Sequence, residues 1–259
     1  TETSTGNTFT AGAIDLKIDN ESYAIDNVIP GVTEPTGLLV ANPANSWSTT
    51  DLTIEKFFNF VDLKPGDYGE DTISVEVGSN DAWMCAAARV TSDIDNGFSE
   101  PELADDNDVN TGELDNELNF AFWKDDGDNV LEVDEVASIF AAGPLSGLAG
   151  NGQIALVDAQ GGPLGPDPVP GGSTSYIGKG WCYGAMTQAA VVQDTFGKTN
   201  PNTNGPLIRD TGFLCDGTLV DNAGQTDQVV GDVEFYAVQS RNNSEFDCDE
   251  GYTPSWEIQ

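Results

Sequence analysis

From Ile14 the chain alternates apolar and charged residues without a break: Ile14, Leu16 and Ile18 against Asp15, Lys17 and Asp19. A period of two places each set on its own side of an extended strand, so this segment buries one face only as part of a sheet. The pattern returns at residues 72–77, with Ile73, Val75 and Val77 on one face and Thr72, Ser74 and Glu76 on the other. Residues 51–60, 82–90, 118–123, 153–157, 175–181 and 233–239 also read as strands. Turn chemistry separates them. Lys64-Pro65-Gly66-Asp67 presets φ at Pro65 and supplies φ > 0 at Gly66. Helical periodicity is sparse, and residues 134–143 read as a short helix or turn. About eight strands punctuated in this way predict an all-β sandwich. One domain over residues 13–259 is expected, with insertions at about 92–117 and 183–230, behind a polar, Thr-rich arm at residues 1–12.

Charge narrows the partners. Of 259 residues, 44 are acidic and 9 basic, a formal charge of −35. Such a surface repels nucleic acid and anionic membranes. It also repels copies of itself unless ions screen it, over a Debye length of roughly 8 Å at physiological ionic strength. High salt and a calcium-rich exterior both fit. No apolar run approaches the roughly 18 residues of a membrane-spanning helix. The chain has no histidine, which excludes the H-E-x-x-H zinc peptidase site and both Ser-His-Asp and Cys-His triads. Two carboxylates placed for glycoside hydrolysis arise trivially among so many acids and signify nothing. No enzyme is expected.

Four cysteines, Cys85, Cys182, Cys215 and Cys248, lack metal-binding spacing and read as two disulfides, for which three pairings exist. The favoured pairing joins Cys182 to Cys215 around the Asn/Pro/Gly-rich residues 198–209, leaving Cys85 for Cys248.

The strongest chemical signal is the acidic loop at residues 124–135. On the twelve-residue calcium-loop template Asp126 falls at position 3, Asp128 at 5, the Val130 carbonyl at 7, Glu132 at 9 and Glu135 at 12. Calcium is a hard cation that takes 6–8 oxygens, and Gly127 tightens the turn that would present them. Lys124 stands at position 1, so the first ligand is missing or comes from Asp125. Asn129 stands at position 6, where it tolerates the left-handed conformation. A weaker match places Asp106, Asp108, Asn110 and Glu117 at positions 1, 3, 5 and 12, with glycine one place late. Any calcium is expected to be structural. Trp83, Trp123 and Trp181 sit in strand-like runs and read as core, whereas Trp47 and Trp256 are candidates for ligand stacking. Asn20 and Asn242 open glycosylation sequons.

The first residues, Thr-Glu-Thr-Ser-Thr-Gly-Asn-Thr-Phe-Thr-Ala-Gly, leading into the strand from Ile14, resemble the mature N-terminus of the TasA/camelysin family of secreted bacterial and archaeal proteins. The run Leu-Lys-Pro-Gly-Asp-Tyr-Gly-Glu at 63–70, followed by Val77 and Asn80-Asp81-Ala82, is similar to that family too, as more loosely are residues 118–135 and 230–243. The resemblance implies a secreted, jelly-roll subunit of an extracellular fibre, processed to its mature form. Such a subunit homopolymerises by donating its arm to the sheet of the next copy, with Thr8, Phe9 and Thr10 as donor residues and Phe9 as pocket anchor. Strand addition of this kind satisfies an exposed edge and generates an open filament. Two features depart from the family. The apolar aromatic stretch that usually precedes the Glu-Thr segment is not present, and the long insertions have no counterpart. The alternative is a monomeric, calcium-stabilised secreted adhesin or carbohydrate-binding module with surface glycans as partners.

Overall fold

The computed structural model describes residues 14–97, 99–106, 111–150, 152–198 and 203–257. Its larger sheet contains β1 (Leu16–Ile25), β2 (Leu39–Ala41), β3 (Trp47–Thr50), β4 (Tyr68–Val77), β6 (Leu118–Asp125), β7 (Ile139–Pro144) and β9 (Thr174–Tyr183). The order is β2-β1-β4-β9-β6-β7, with β3 also paired to β1. Facing it is the sheet β12-β5-β8, made of β5 (Ala82–Ile94), β8 (Gln153–Val157) and β12 (Gln228–Gln239). A ribbon of β10 (Ala185–Gln188) and β11 (Phe213–Asp216) completes the strands. All these pairings are antiparallel. The fold is therefore an all-β sandwich. Of the expected jelly roll it shows the two facing antiparallel sheets, unequally divided.

Alternation explains what lies between the sheets. Ile18, Ile73, Val75, Val77 and Ile177 project from the larger sheet onto Trp83, Met84, Leu156 and Val157 of the smaller. Register enforces this, because Ile18 stands opposite Val75 and Ile73 opposite Ile177. The Pro65-Gly66 turn forms as expected: the Asp67 amide donates to the Lys64 carbonyl at 2.9 Å, and Gly66 has φ of 93°.

Residues 51–60 depart from the sequence reading, since they form no strand. Adjacent strand residues point to opposite faces, yet Phe57 and Phe58 both turn toward the Lys179 ammonium, 5.8 and 3.8 Å from their ring centroids. Phe60 meets Trp181 with ring centroids 4.6 Å apart. An irregular segment plugs the sandwich in a way an alternating strand cannot. The short strands β2, β3, β7, β10 and β11 were not expected, and residues 134–143 resolve into a single 3-10 turn (Val136–Ser138) before β7. The insertions also carry regular structure: the first includes the end of β5 and α1 (Leu114–Glu117), the second β10, β11 and the start of β12.

Two devices fasten this framework. The disulfides are Cys85–Cys248 and Cys182–Cys215, separated by 163 and 33 residues. Chain entropy assigns such loops about 5 and about 4 kcal/mol respectively, before any native-state strain. Between the sheets, Lys179 forms an ion pair with Asp71, with side-chain exposures of 1% and 0%. The ammonium also donates to the Phe57 carbonyl at 3.2 Å. Burial pushes the lysine down and the aspartate up, each opposed by its partner.

Removing one member of this pair strands the other charge in a dry core. Lys179→Met is expected to destabilise the protein by about 3–5 kcal/mol, while Lys179→Met combined with Asp71→Leu recovers most of the loss. Urea unfolding of the three chains checks this.

Candidate metal centre

The outer face of the larger sheet, expected to be solvated, is covered. By register Glu21, Thr72, Gly178 and Trp123 line up across four strands, and Glu70, Gly180 and Ala121 form the adjacent row. Trp123 is fully buried; its indole occupies the space a side chain at position 178 would need. Phe213 of β11 presses onto Gly180 in the same way. The loop after β6 lies over this face, its Leu131 and Val133 amides donating to the carbonyls of Thr211 and Val191.

Within that loop the backbone reverses where the sequence allows: Gly127 has φ of 110° and Asn129 φ of 67°. The Asp128 carboxylate accepts the Val130 amide at 3.0 Å. Glu135 reaches back to accept the amides of Asp126 at 2.9 Å and Glu132 at 3.1 Å. The four template carboxylates consequently converge. Ligand oxygens of Asp126, Glu132 and Glu135 lie within 4.8 Å of one another, as do those of Asp125, Asp126 and Asp128, and of Asp128, Glu132 and Asp194. An ion bound at roughly 2.4 Å spans opposite oxygens about 4.8 Å apart, which is the scale of a calcium shell. Lys124 points away toward the Leu164 carbonyl, and Asp125 takes the place beside Asp126 and Asp128. Asp125 is held by the Thr72 hydroxyl at 2.7 Å and the Gly127 amide at 3.0 Å.

Three participants escaped the sequence reading. Arg209, closing α2 (Pro206–Arg209), bridges Asp128 at 2.7 Å, Glu132 at 2.6 Å and Asp194 at 3.2 Å. Glu70 is fully buried with neither carboxylate oxygen hydrogen-bonded. Asp194 and Arg209 carry no motif. Glu70 lies on the Thr72 face of an alternating strand, but its burial depends on a cover supplied from far along the chain.

Asp125, Asp126, Asp128, Glu132, Glu135 and Asp194 crowd around the loop, and the Arg209 guanidinium pairs with three of them, Asp128, Glu132 and Asp194. Burial, reinforced by the surrounding acids, pushes Glu135 to about 9 and Asp128 to about 8. Burial also lifts Asp125 to about 6, against the hydrogen bond from Thr72. Glu70 is raised well above the usual range, again by burial first and then by Asp125 and Asp128. Oxygens at Asp126 and Glu132 remain buried without a donor. A hard divalent cation suits this donor set better than a second basic side chain, because it accepts many oxygens at once.

The other expected residues divide. Asp106 lies among the acids that raise Glu113, whereas Glu117 senses Asp221 instead. Asp108 and Asn110 lie outside the described residues, as do Thr8, Phe9 and Thr10. Asn20 is corrected as a glycosylation acceptor: it is 2% exposed and its amide donates to the Asn45 carbonyl at 2.6 Å, leaving no room for a glycan. Asn242 is exposed, with φ of 70°. Trp47 lines an open surface cleft of about 410 Å³ together with Asp19, Glu21 and Lys198. Trp47 packs edge-on against Phe57 at 5.0 Å, and the Arg89 guanidinium lies 4.7 Å from the Trp256 ring centroid.

No protein-family model and no curated protein matches this chain.

The raised carboxylates fix the sign of a pH effect. Between about pH 9 and pH 6 the metal-free folded chain takes up protons at Glu135 and Asp128, and the unfolded chain, titrating near 4, does not. Stability without calcium is therefore expected to rise as pH falls through this window. A calcium ion held by these carboxylates would compete with those protons, so its stabilisation is expected to grow with pH, to about 2.7 kcal/mol at a hundred times its Kd. Melting curves from pH 6 to 9, with and without calcium, check both slopes; Asp128→Asn is expected to flatten the difference.

Proposed function

We propose that the protein is a structural subunit of an extracellular filament, in which residues 1–12 of one copy add as a strand to the sheet of the next. The observation that carries this reading is β12. It runs for twelve residues and ends its sheet, paired to β5 on one side alone among the described strands. None of its residues is buried. An unprotected edge of that length is a template for pairing with another chain, and the smaller sheet has three strands against seven in the larger. The N-terminal resemblance to the TasA/camelysin family names the same mode of assembly. Two disulfides accord with an oxidising exterior, and no helix among the described residues is long and apolar enough to cross a membrane. Calcium supplies the screening that copies carrying −35 each require.

Negative-stain electron microscopy tests the proposal on the full chain and on a chain lacking residues 1–12, both with calcium. Filaments are expected from the full chain alone, and a synthetic peptide of residues 1–12 in excess is expected to stop their growth. Monodisperse particles from both chains would overturn the filament reading and favour the monomeric adhesin.

A further inference from the structure

A second acidic cluster lies where β5 ends and β12 begins. Asp93 is the last residue but one of β5 and Asp95 lies just beyond it; Glu102 opens a 3-10 turn (Glu102–Ala104), Glu113 precedes α1, and Asp227 precedes β12. Ligand oxygens of Asp95, Glu102 and Asp227 lie within 4.8 Å of one another. We propose that these three carboxylates, with Asp93 and Glu113 beside them, form a binding site for a hard divalent cation of the calcium class, tying the turn at Glu102–Ala104 to the end of β5 and the start of β12.

Acidic clusters are common, and two further observations separate this one. Glu102 is 0% exposed, and while one of its oxygens accepts the Ser99 amide at 2.8 Å, Oε1 has no donor. That side chain is directed at Asp95 and Asp227, the least favourable neighbours for an unneutralised carboxylate. Asp93 Oδ1, Asp95 Oδ2, Glu113 Oε2 and Asp227 Oδ1 are likewise buried without a donor. Asp95, Glu102 and Asp227 would supply three of the 6–8 oxygens that calcium takes, with water and neighbouring oxygens completing the shell. The second observation concerns charge. No lysine or arginine occurs between Arg89 and Lys124, or between Arg209 and Arg241, so the segments that build the cluster hold no counter-ion of their own.

Neutral groups hold the arrangement in place. Asp227 accepts the Glu113 amide at 2.6 Å, Asn96 donates to the Thr226 carbonyl at 2.9 Å, and the Thr226 hydroxyl donates to the Gly97 carbonyl at 2.8 Å. Gly112 lies so close to the carboxylates that a Cβ there would stand 2.7 Å from Asp93 Oδ1 and 3.1 Å from Asp227 Oδ2. The ligands come from three separate stretches of chain, so this is not the contiguous loop that a twelve-residue template at 106–117 describes.

The test compares the full chain with its Glu102→Gln/Asp227→Asn variant at fixed ionic strength, by thermal melting and calcium equilibrium dialysis. Without calcium the variant is expected to melt above the wild type, because like-charge repulsion is relieved. With millimolar calcium the order is expected to reverse, and the variant to bind one calcium fewer per chain. A Glu132→Gln chain, altered in the loop after β6, is the reference that still fills the second site. Where the double variant fails to fold, Asp93→Asn replaces it with the same expected reversal, reduced in size. An unchanged calcium stoichiometry, or a variant that melts below the wild type without calcium, overturns the proposal. Neither readout depends on filament formation.

Discussion

Carboxylates buried against one another are the constraint on which this structure turns. A carboxylate removed from water and left beside its own kind costs far more than a hydrophobic contact returns, and it either takes a proton or finds a cation. The protein sets this problem twice, over the outer face of the larger sheet and at the joint of β5 with β12. In each place loops of irregular shape bring acids together, held by backbone amides that donate to the carboxylates. Arg209 answers part of the first demand by bridging Asp128, Glu132 and Asp194. The Lys179–Asp71 pair shows the same chemistry solved internally, with one basic group to one acid.

The apolar core was legible because alternation states it directly. The faces assigned to Ile73, Val75 and Val77 hold, as do the strand at 153–157 and the burial of Trp83, Trp123 and Trp181. The disulfide pairing held as well, since it followed loop composition. Alternation failed where a segment packs without pairing, as at Phe57 and Phe58, and where strands of three to six residues gain their order from neighbours. The acidic loop was legible through spacing, down to the left-handed Asn129. Glu70, Asp194 and Arg209 were not, because their roles arise from a cover that closes over the sheet through long-range contacts. The second cluster was masked by a local template that matched its neighbourhood but not its ligands.

A link follows between charge and assembly. Under the two proposals, ions bound at fixed sites would counter the charge of each subunit, and a cation at the joint of β5 and β12 would steady the start of the edge strand that strand addition would use.

The central claim is that specific divalent cations, and not bulk salt, neutralise the buried carboxylates. Its most direct measurement is the count of calcium ions held by the intact chain, by isothermal titration across a range of sodium chloride concentrations. The account predicts saturable binding at two separate clusters that persists when sodium far exceeds calcium. Absence of saturable binding, with stability rising equally with sodium or calcium at matched ionic strength, would contradict it.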